Sequence, residues 1–321
     1  MPNFDQEMKE HTFFQQPHHT PVLCSFLLDK VLPEDNSMIV DCTLGEGGHT
    51  EAFLKKGRMV AGFDRDPVIL EKARQRLSAF SSQVVFHNAN FGNAEEIFRS
   101  YHGKYGMVLF DLGISVFHYR ESGRGFSING NEPIDMRLDG EGISASDILN
   151  TMSLEELRNI FSLYGEEPKA RKAAELIVQR RAENPITNSA ELSELLGGLW
   201  PRNSRSHPAT RCFQALRIAV NKELDCIEPG ILSAIKYSRA GTRIAVLSYH
   251  SLEDRIVKNV FNRFVPKKIR VNKYRLPADI NPQHAFRLFS KKPVIPDETE
   301  KSENNASRSA KLRVLICGEG I

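Results

Sequence analysis

Two aspartates close apolar runs in the first third of the chain, Asp64 after "MVAGF" and Asp111 after "GMVLF". An acid at the carboxyl end of the second strand of an open α/β sheet suits the paired hydroxyls of a ribose, which is the role expected of Asp64. Asp111 ends a later buried run beside the same crevice, where it would face a reacting amine. The exocyclic amine of cytosine or adenine is a poor nucleophile because its lone pair is delocalised into the ring. Oxygen acceptors that take both amine hydrogens favour a pyramidal nitrogen and aim its lone pair at an electrophilic methyl group. The plainer alternative for Asp111 is an ordinary loop-capping aspartate.

Between the first two apolar runs lies "GEGGHT" from Gly45, a tight turn followed by a helix expected over Thr50 to Lys56. Strand, glycine turn, helix and a distant acid together form a nucleotide-site layout. The loop departs from G-x-G-x-x-G because Thr50 stands three positions after Gly47, and "GGH" sets an imidazole beside the ligand space. That suits adenosine without phosphates better than a pyrophosphate packed on a helix N-terminus. S-adenosylmethionine is such a ligand, with Asp64 on its ribose and Phe91, in "NANFGN", as the aromatic wall for its adenine.

These residues need a sheet to hold them. Strand-like stretches at Met38 to Asp41, Met59 to Asp64, "QVVFHNAN" and "GMVLFDLG" alternate with helix-like ones such as "DPVILEKARQRLSAF", the rhythm of a doubly wound α/β sheet. From about Tyr119 to Arg217 the pattern changes to polar loops and amphipathic helices without a convincing strand, which predicts an inserted helical domain. The α/β pattern then resumes. A helix over "NKELDCIEPGILSAIKYSRA", bent or interrupted near Pro229, precedes the strand "RIAVLSYHS" and the helix "LEDRIVKNVFNRF". A polar segment, "PDETEKSENNASRS", separates "FSKKPVI" from "AKLRVLICG", and these two could form a terminal hairpin.

With 40% hydrophobic and 26% charged residues, the 321-residue chain is long enough for two domains and a substantial core. It carries no apolar run of membrane-spanning length and no basic-then-apolar N-terminus, so the cytoplasm is the expected location. Its five cysteines are scattered singly, and His49, His207 and His250 lack ligand spacing, which points to reduced thiols and no metal site. A net charge of +3 diagnoses nothing by itself. Its distribution says more: "PRNSRSHPATRCFQALR" with Arg202, Arg205, Arg211 and Arg217, "RFVPKKIRVNKYR" with Lys267, Lys268 and Arg270, and Lys291 with Lys292 favour a polyanion partner.

Several separated strings coincide with one family. "HTPVL" at His19, "VDCTLGEGGHT" at Val40, "GFDRDP" at Gly62, "LFDLGIS" at Leu109 and "GRGFSINGNEPIDMR" at Gly123 are followed in order by four more. These are "YGEE" at Tyr164, "HPATRCFQALRIAVNKEL" at His207, "SYHSLEDRIVK" at Ser248 and "SRSAKLRV" at Ser307. The sequence resembles the RsmH (MraW) family of bacterial 16S ribosomal RNA (cytosine-N4) methyltransferases. The resemblance implies a class I S-adenosylmethionine-dependent methyltransferase fold, Rossmann-like and doubly wound, built from residues 1–117 and 218–321 with a helical substrate domain inserted at 118–217. It implies methylation of a decoding-centre cytidine in 16S rRNA, within the small ribosomal subunit or a late assembly particle. Donor-binding residues carried over by motif are Gly47, Gly48, His49, Asp64, Phe91 and Asp111, with Asp111 also catalytic. His118 occupies the place where the family has a donor-contacting glutamine, and the target base is expected near Phe126. Two rivals remain: a catalytically silent RNA-binding or assembly factor on the same fold, and a dinucleotide oxidoreductase, against which the missing third glycine argues.

Overall fold

The computed structural model describes residues 21–200, 207–265 and 286–318. Among them seven strands form one sheet: β1 (Met38–Asp41), β2 (Val60–Asp64), β3 (Val84–Asn88), β4 (Tyr105–Asp111), β5 (Arg243–Ser248), β6 (Arg287–Leu288) and β7 (Lys311–Ile316). Their order is β3-β2-β1-β4-β5-β7-β6. The first five run parallel, while β7 lies antiparallel to both β5 and β6. The inner strands β2, β4 and β5 are buried almost throughout, which is why they read as continuous apolar runs rather than alternating ones. This is the strand order of a class I methyltransferase.

The helices follow in chain order. α1 (Cys24–Phe26) leads into a wider turn, and α2 (Gly48–Lys55), α3 (Pro67–Arg76) and α4 (Glu95–Ser100) link the first strands. α5 (Val116–Arg120), α6 (Ala145–Thr151), α7 (Leu154–Leu163), α8 (Ala170–Glu183), α9 (Ser189–Gly197) and α10 (Thr210–Asn221) lie between β4 and the returning α11 (Glu223–Lys236). α12 (Ser251–Phe264) and α13 (Glu298–Glu303) complete the set. Local chemistry sets several of the starts. Asp66 caps α3, accepting the Val68 N–H at 2.8 Å with Pro67 in the first turn. Ser144 with Asp147 and Ser153 with Glu156 form capping boxes at α6 and α7.

Apolar clusters fill both faces of the sheet. One holds Phe98 of α4, Ile231 of α11 and Phe261 of α12; the other holds Phe53 of α2 and Leu70 of α3. A third core belongs to the insertion and runs from Phe126 to Leu216. The expected boundaries, 117/118 and 217/218, fall inside α5 and α10. On the C-terminal side the chain breaks at Lys222, whose φ of +49° ends α10 and begins α11.

Other expectations shift in detail. α2 starts at Gly48 rather than Thr50, and α11 runs through Pro229 uninterrupted. β6 lies just upstream of "FSKKPVI", from which Val294 makes only an isolated bridge to Leu312. The polar segment before β7 contains α13. Arg202, Arg205, Lys267, Lys268 and Arg270 lie outside the described residues. Among the described residues no helix is long and apolar enough to cross a membrane.

Candidate functional site

The carboxyl ends of β1, β2, β4 and β5 surround a cavity of about 480 Å³, at the point where the strand order reverses and open α/β sheets bind their ligands. Gly48, His49, Asp64, Phe91, Asp111 and His118 line it, and Gly47 does not. The work of Gly47 is conformational. It caps α2 with a φ of +82°, and a Cβ there would stand 3.0 Å from the Leu77 side chain. At Gly48 a Cβ would fall 2.8 Å from Pro21. The bare backbone therefore lets the Pro21–Val22 segment lie on the start of the helix, where the Val22 carbonyl accepts the His49 Nε2–H at 3.0 Å.

On one side of the cavity Asp64 accepts the Gly45 N–H on Oδ2 and the Asp66 N–H on Oδ1, both at 2.9 Å. Burial pushes its carboxyl up to about 6, although the two backbone donors pull the other way. Asp66 behind it shows the opposite balance. Burial would raise its carboxyl, but hydrogen bonds from His118 and Arg124 hold it below the usual range. His118 is 4% exposed, and its Nε2 lies 3.0 Å from Asp66 Oδ2. Because that carboxylate accepts, Nε2 carries the hydrogen, while Nδ1 has no hydrogen-bond partner among the described residues. His118 thus braces Asp66, whose N–H holds Asp64.

Asp111 ends β4 with its N–H on Thr43 Oγ1 at 2.6 Å. Tyr249 Oη donates to its Oδ1, also at 2.6 Å, and His49 Nδ1 lies 3.5 Å from Oδ2. Burial, then the charge of Asp111, pushes the Tyr249 phenol well above its ordinary range, so it stays a donor. Beneath them, buried Asp41 accepts from Thr50 Oγ1 at 2.7 Å, its carboxyl raised by burial. Phe91 packs edge-on against Phe110 with ring centroids 5.3 Å apart.

Several of the site's residues were not anticipated. Tyr249 and Thr43 lie within the strings "SYHSLEDRIVK" and "VDCTLGEGGHT", which assign them no role; adjacency of β4 and β5, with Asp111 opposite Leu247, is what brings Tyr249 into reach. Arg217, expected on a basic surface, instead forms a bidentate pair with Glu223 at 2.9 Å on the cavity wall and donates to Tyr119 Oη at 2.8 Å. Phe126, expected near the target base, is 4% exposed and packed into the insertion core, whereas the cavity-lining Tyr119 is 41% exposed. Two cysteines also reach the cavity. Burial pushes the Cys42 thiol well up, and Cys226 Sγ is held between Asn90 and the Lys222 carbonyl.

The donor set fits an adenosyl ligand without phosphates. A carboxylate stands ready for a diol, an aromatic wall stands beyond it, and the loop's own charged side chain is acidic Glu46, the wrong sign for a pyrophosphate. Among the described residues no group of three His, Cys, Asp or Glu side chains could hold a metal ion.

The sequence matches the family model described as the MraW methylase family over residues 16–316. It is 45% identical over 291 residues to a ribosomal RNA small subunit methyltransferase H of Leptospira borgpetersenii, covering 88% of this chain and 87% of that protein. The protein of the same name from Treponema denticola is 40% identical, with 94% and 97% covered. Superposition on the crystal structure of an rRNA methylase from Streptococcus thermophilus gives a TM-score of 0.40 at 13% identity, with 95% and 99% covered. With a family pattern spanning nearly its whole length and the strand order of a class I methyltransferase, the chain belongs to the MraW methylase family, whose methyl donor is S-adenosylmethionine.

Proposed function

We propose that this chain transfers a methyl group from S-adenosylmethionine to the exocyclic N4 of a cytidine in the decoding centre of 16S rRNA, within the small subunit or a late assembly particle. Its curated relatives are named as ribosomal RNA small subunit methyltransferases, which supports the substrate class. The observation that carries the reaction type is the setting of Asp111, a carboxylate held by Tyr249 on one oxygen with His49 beside the other, in one cavity with Asp64 and Phe91.

When bound, the donor supplies a methyl group on a positively charged sulfur, and the departing thioether keeps the bonding electrons. Asp64 takes the ribose hydroxyls and Phe91 walls the adenine. Asp111 accepts hydrogen bonds from the amine, which turns the nitrogen lone pair toward the methyl group. Once the C–N bond has formed, the nitrogen must shed a proton, and Asp111 is the carboxylate placed to receive it. No covalent adduct is required of the protein. Cys42 has its thiol pushed away from the reactive thiolate form by burial. In a folded RNA the cytidine must be splayed out of its stack to reach this cavity, and exposed Tyr119 offers a face at the rim.

The test is single-turnover methylation of small-subunit particles with labelled donor, followed by mass mapping of the modified nucleotide. Wild type should label cytidine N4. Asp111→Asn, which keeps an oxygen acceptor, should retain part of the rate, and Asp111→Ala should lose on the order of 100-fold or more at saturating donor. Label on a ring carbon, or wild-type turnover in Asp111→Ala, would overturn the reading. Absence of any transfer by wild type would favour a silent assembly factor.

A further inference from the structure

We propose that Tyr249 is a positioning residue for the methyl transfer, acting through the Asp111 carboxylate and not on the donor. The inference rests on the reading of Asp111 as the acceptor of the amine hydrogens. β5 runs parallel beside β4 with Leu247 opposite Asp111, so the chain leaving β5 delivers Tyr249 next to the aspartate. Tyr249 Oη donates to Asp111 Oδ1 at 2.6 Å, the short distance typical of a hydroxyl on a charged acceptor.

The tyrosine is itself held at both ends. Its N–H donates at 2.8 Å to Oε2 of Glu253, which is 2% exposed and closes the capping box of α12 with His250. Its ring packs against the apolar cluster of the sheet face that holds Leu247 and Leu312. On the far side of the carboxylate His49 is anchored through Nε2 to the Val22 carbonyl, with Nδ1 3.5 Å from Oδ2. A carboxylate otherwise turns freely about its Cβ–Cγ bond. Here the phenol sets its plane from the β5 side, and the imidazole edge 3.5 Å from Oδ2 limits its swing on the loop side. The amine's two hydrogens and lone pair are directional, so the acceptor must stand in one orientation before the base arrives. Misplacement of a reacting group by about 1 Å costs on the order of 100-fold.

The experiment is a double-mutant cycle of Tyr249→Phe with Asp111→Ala, read as the single-turnover rate on small-subunit particles at saturating donor. Donor affinity by calorimetry and thermal melting are measured for each variant. Tyr249→Phe keeps the ring and should lower the rate about 10- to 100-fold, the worth of a hydrogen bond to a charged group. Its donor affinity should stay within about twofold of wild type, because the phenol does not bind the donor. In the Asp111→Ala background the same substitution should cost no more than about twofold, since the phenol then has no carboxylate to hold. Three results would overturn the inference: a wild-type rate in Tyr249→Phe, an equal loss in both backgrounds, or a loss explained by weakened donor binding or a lowered melting temperature. A wild-type rate in Asp111→Ala would instead overturn the reading of Asp111 on which it rests.

Discussion

Asp64 shows how one carboxylate serves two demands. Its oxygens already accept the Gly45 and Asp66 amides, which fixes its direction, and ribose hydroxyls would use the remaining lone pairs. Removing that acceptor should weaken donor binding by about 1.5–3 kcal/mol, tenfold or more. Calorimetry giving equal affinity for wild type and Asp64→Ala would refute this. The elevated pKa adds a pH signature. Because burial pushes the carboxyl up to about 6, the ionised acceptor is complete above that value and lost as pH falls through it. If the ribose binds the ionised form, donor affinity should be flat from pH 7 to 8 and fall by up to about tenfold per unit below 6, with one proton released on binding. Asp64→Asn should lack this limb. A wild-type affinity that is the same at pH 5 and pH 8 would remove Asp64 from the ribose.

At the scale of elements, the inner strands were legible because parallel strands buried on both faces leave unbroken apolar runs, and two of these runs, β2 and β4, ended on acids that line the cavity, Asp64 and Asp111. α3 was legible through Asp66 and Pro67 at its start. What escaped was non-local. α13 hides in a polar stretch because its partner is distant: Glu300 accepts the Leu23 N–H at 2.6 Å, and no local periodicity records that contact. Arg217 looked like surface charge because its partner Glu223 lies beyond the α10–α11 break. The packing behind Phe91 is equally silent in sequence. α11 approaches the sheet so closely that a Cβ on Gly230 would fall 2.6 Å from the Phe91 ring, and Phe110 blocks that ring from retreating. Gly230→Ala should therefore displace Phe91 or α11, costing about 1–3 kcal/mol of stability and weakening donor binding through the lost adenine wall. Melting and donor affinity both at wild-type values would show that the helix yields without consequence.

At the scale of the whole molecule the question is what makes the insertion and the sheet one working unit. α10 belongs to the insertion core by Leu216 and ends at Asn221, and that asparagine, 2% exposed, ties the parts together. Its Oδ1 accepts the Leu138 N–H at 3.0 Å, its Nδ2 donates to the Met136 carbonyl at 2.7 Å, and its own carbonyl accepts from Arg65 at 2.7 Å. Arg65 also pairs with Asp139, and Arg124 reaches both Asp66 and the Leu138 carbonyl. The loop from Arg124 to Asp139 is thus pinned to the turn that holds Asp64, so the insertion and the sheet share one set of polar contacts. Asn221→Ala would strip partners from two buried backbone groups, at about 1–3 kcal/mol each. The loss should be local first, because Arg65 and Arg124 still hold the loop's ends. Hydrogen exchange should quicken at Leu138 well before it does in β1 or β4. If the Leu138 amide exchanges at the wild-type rate in Asn221→Ala, the asparagine is not what joins the insertion to the sheet.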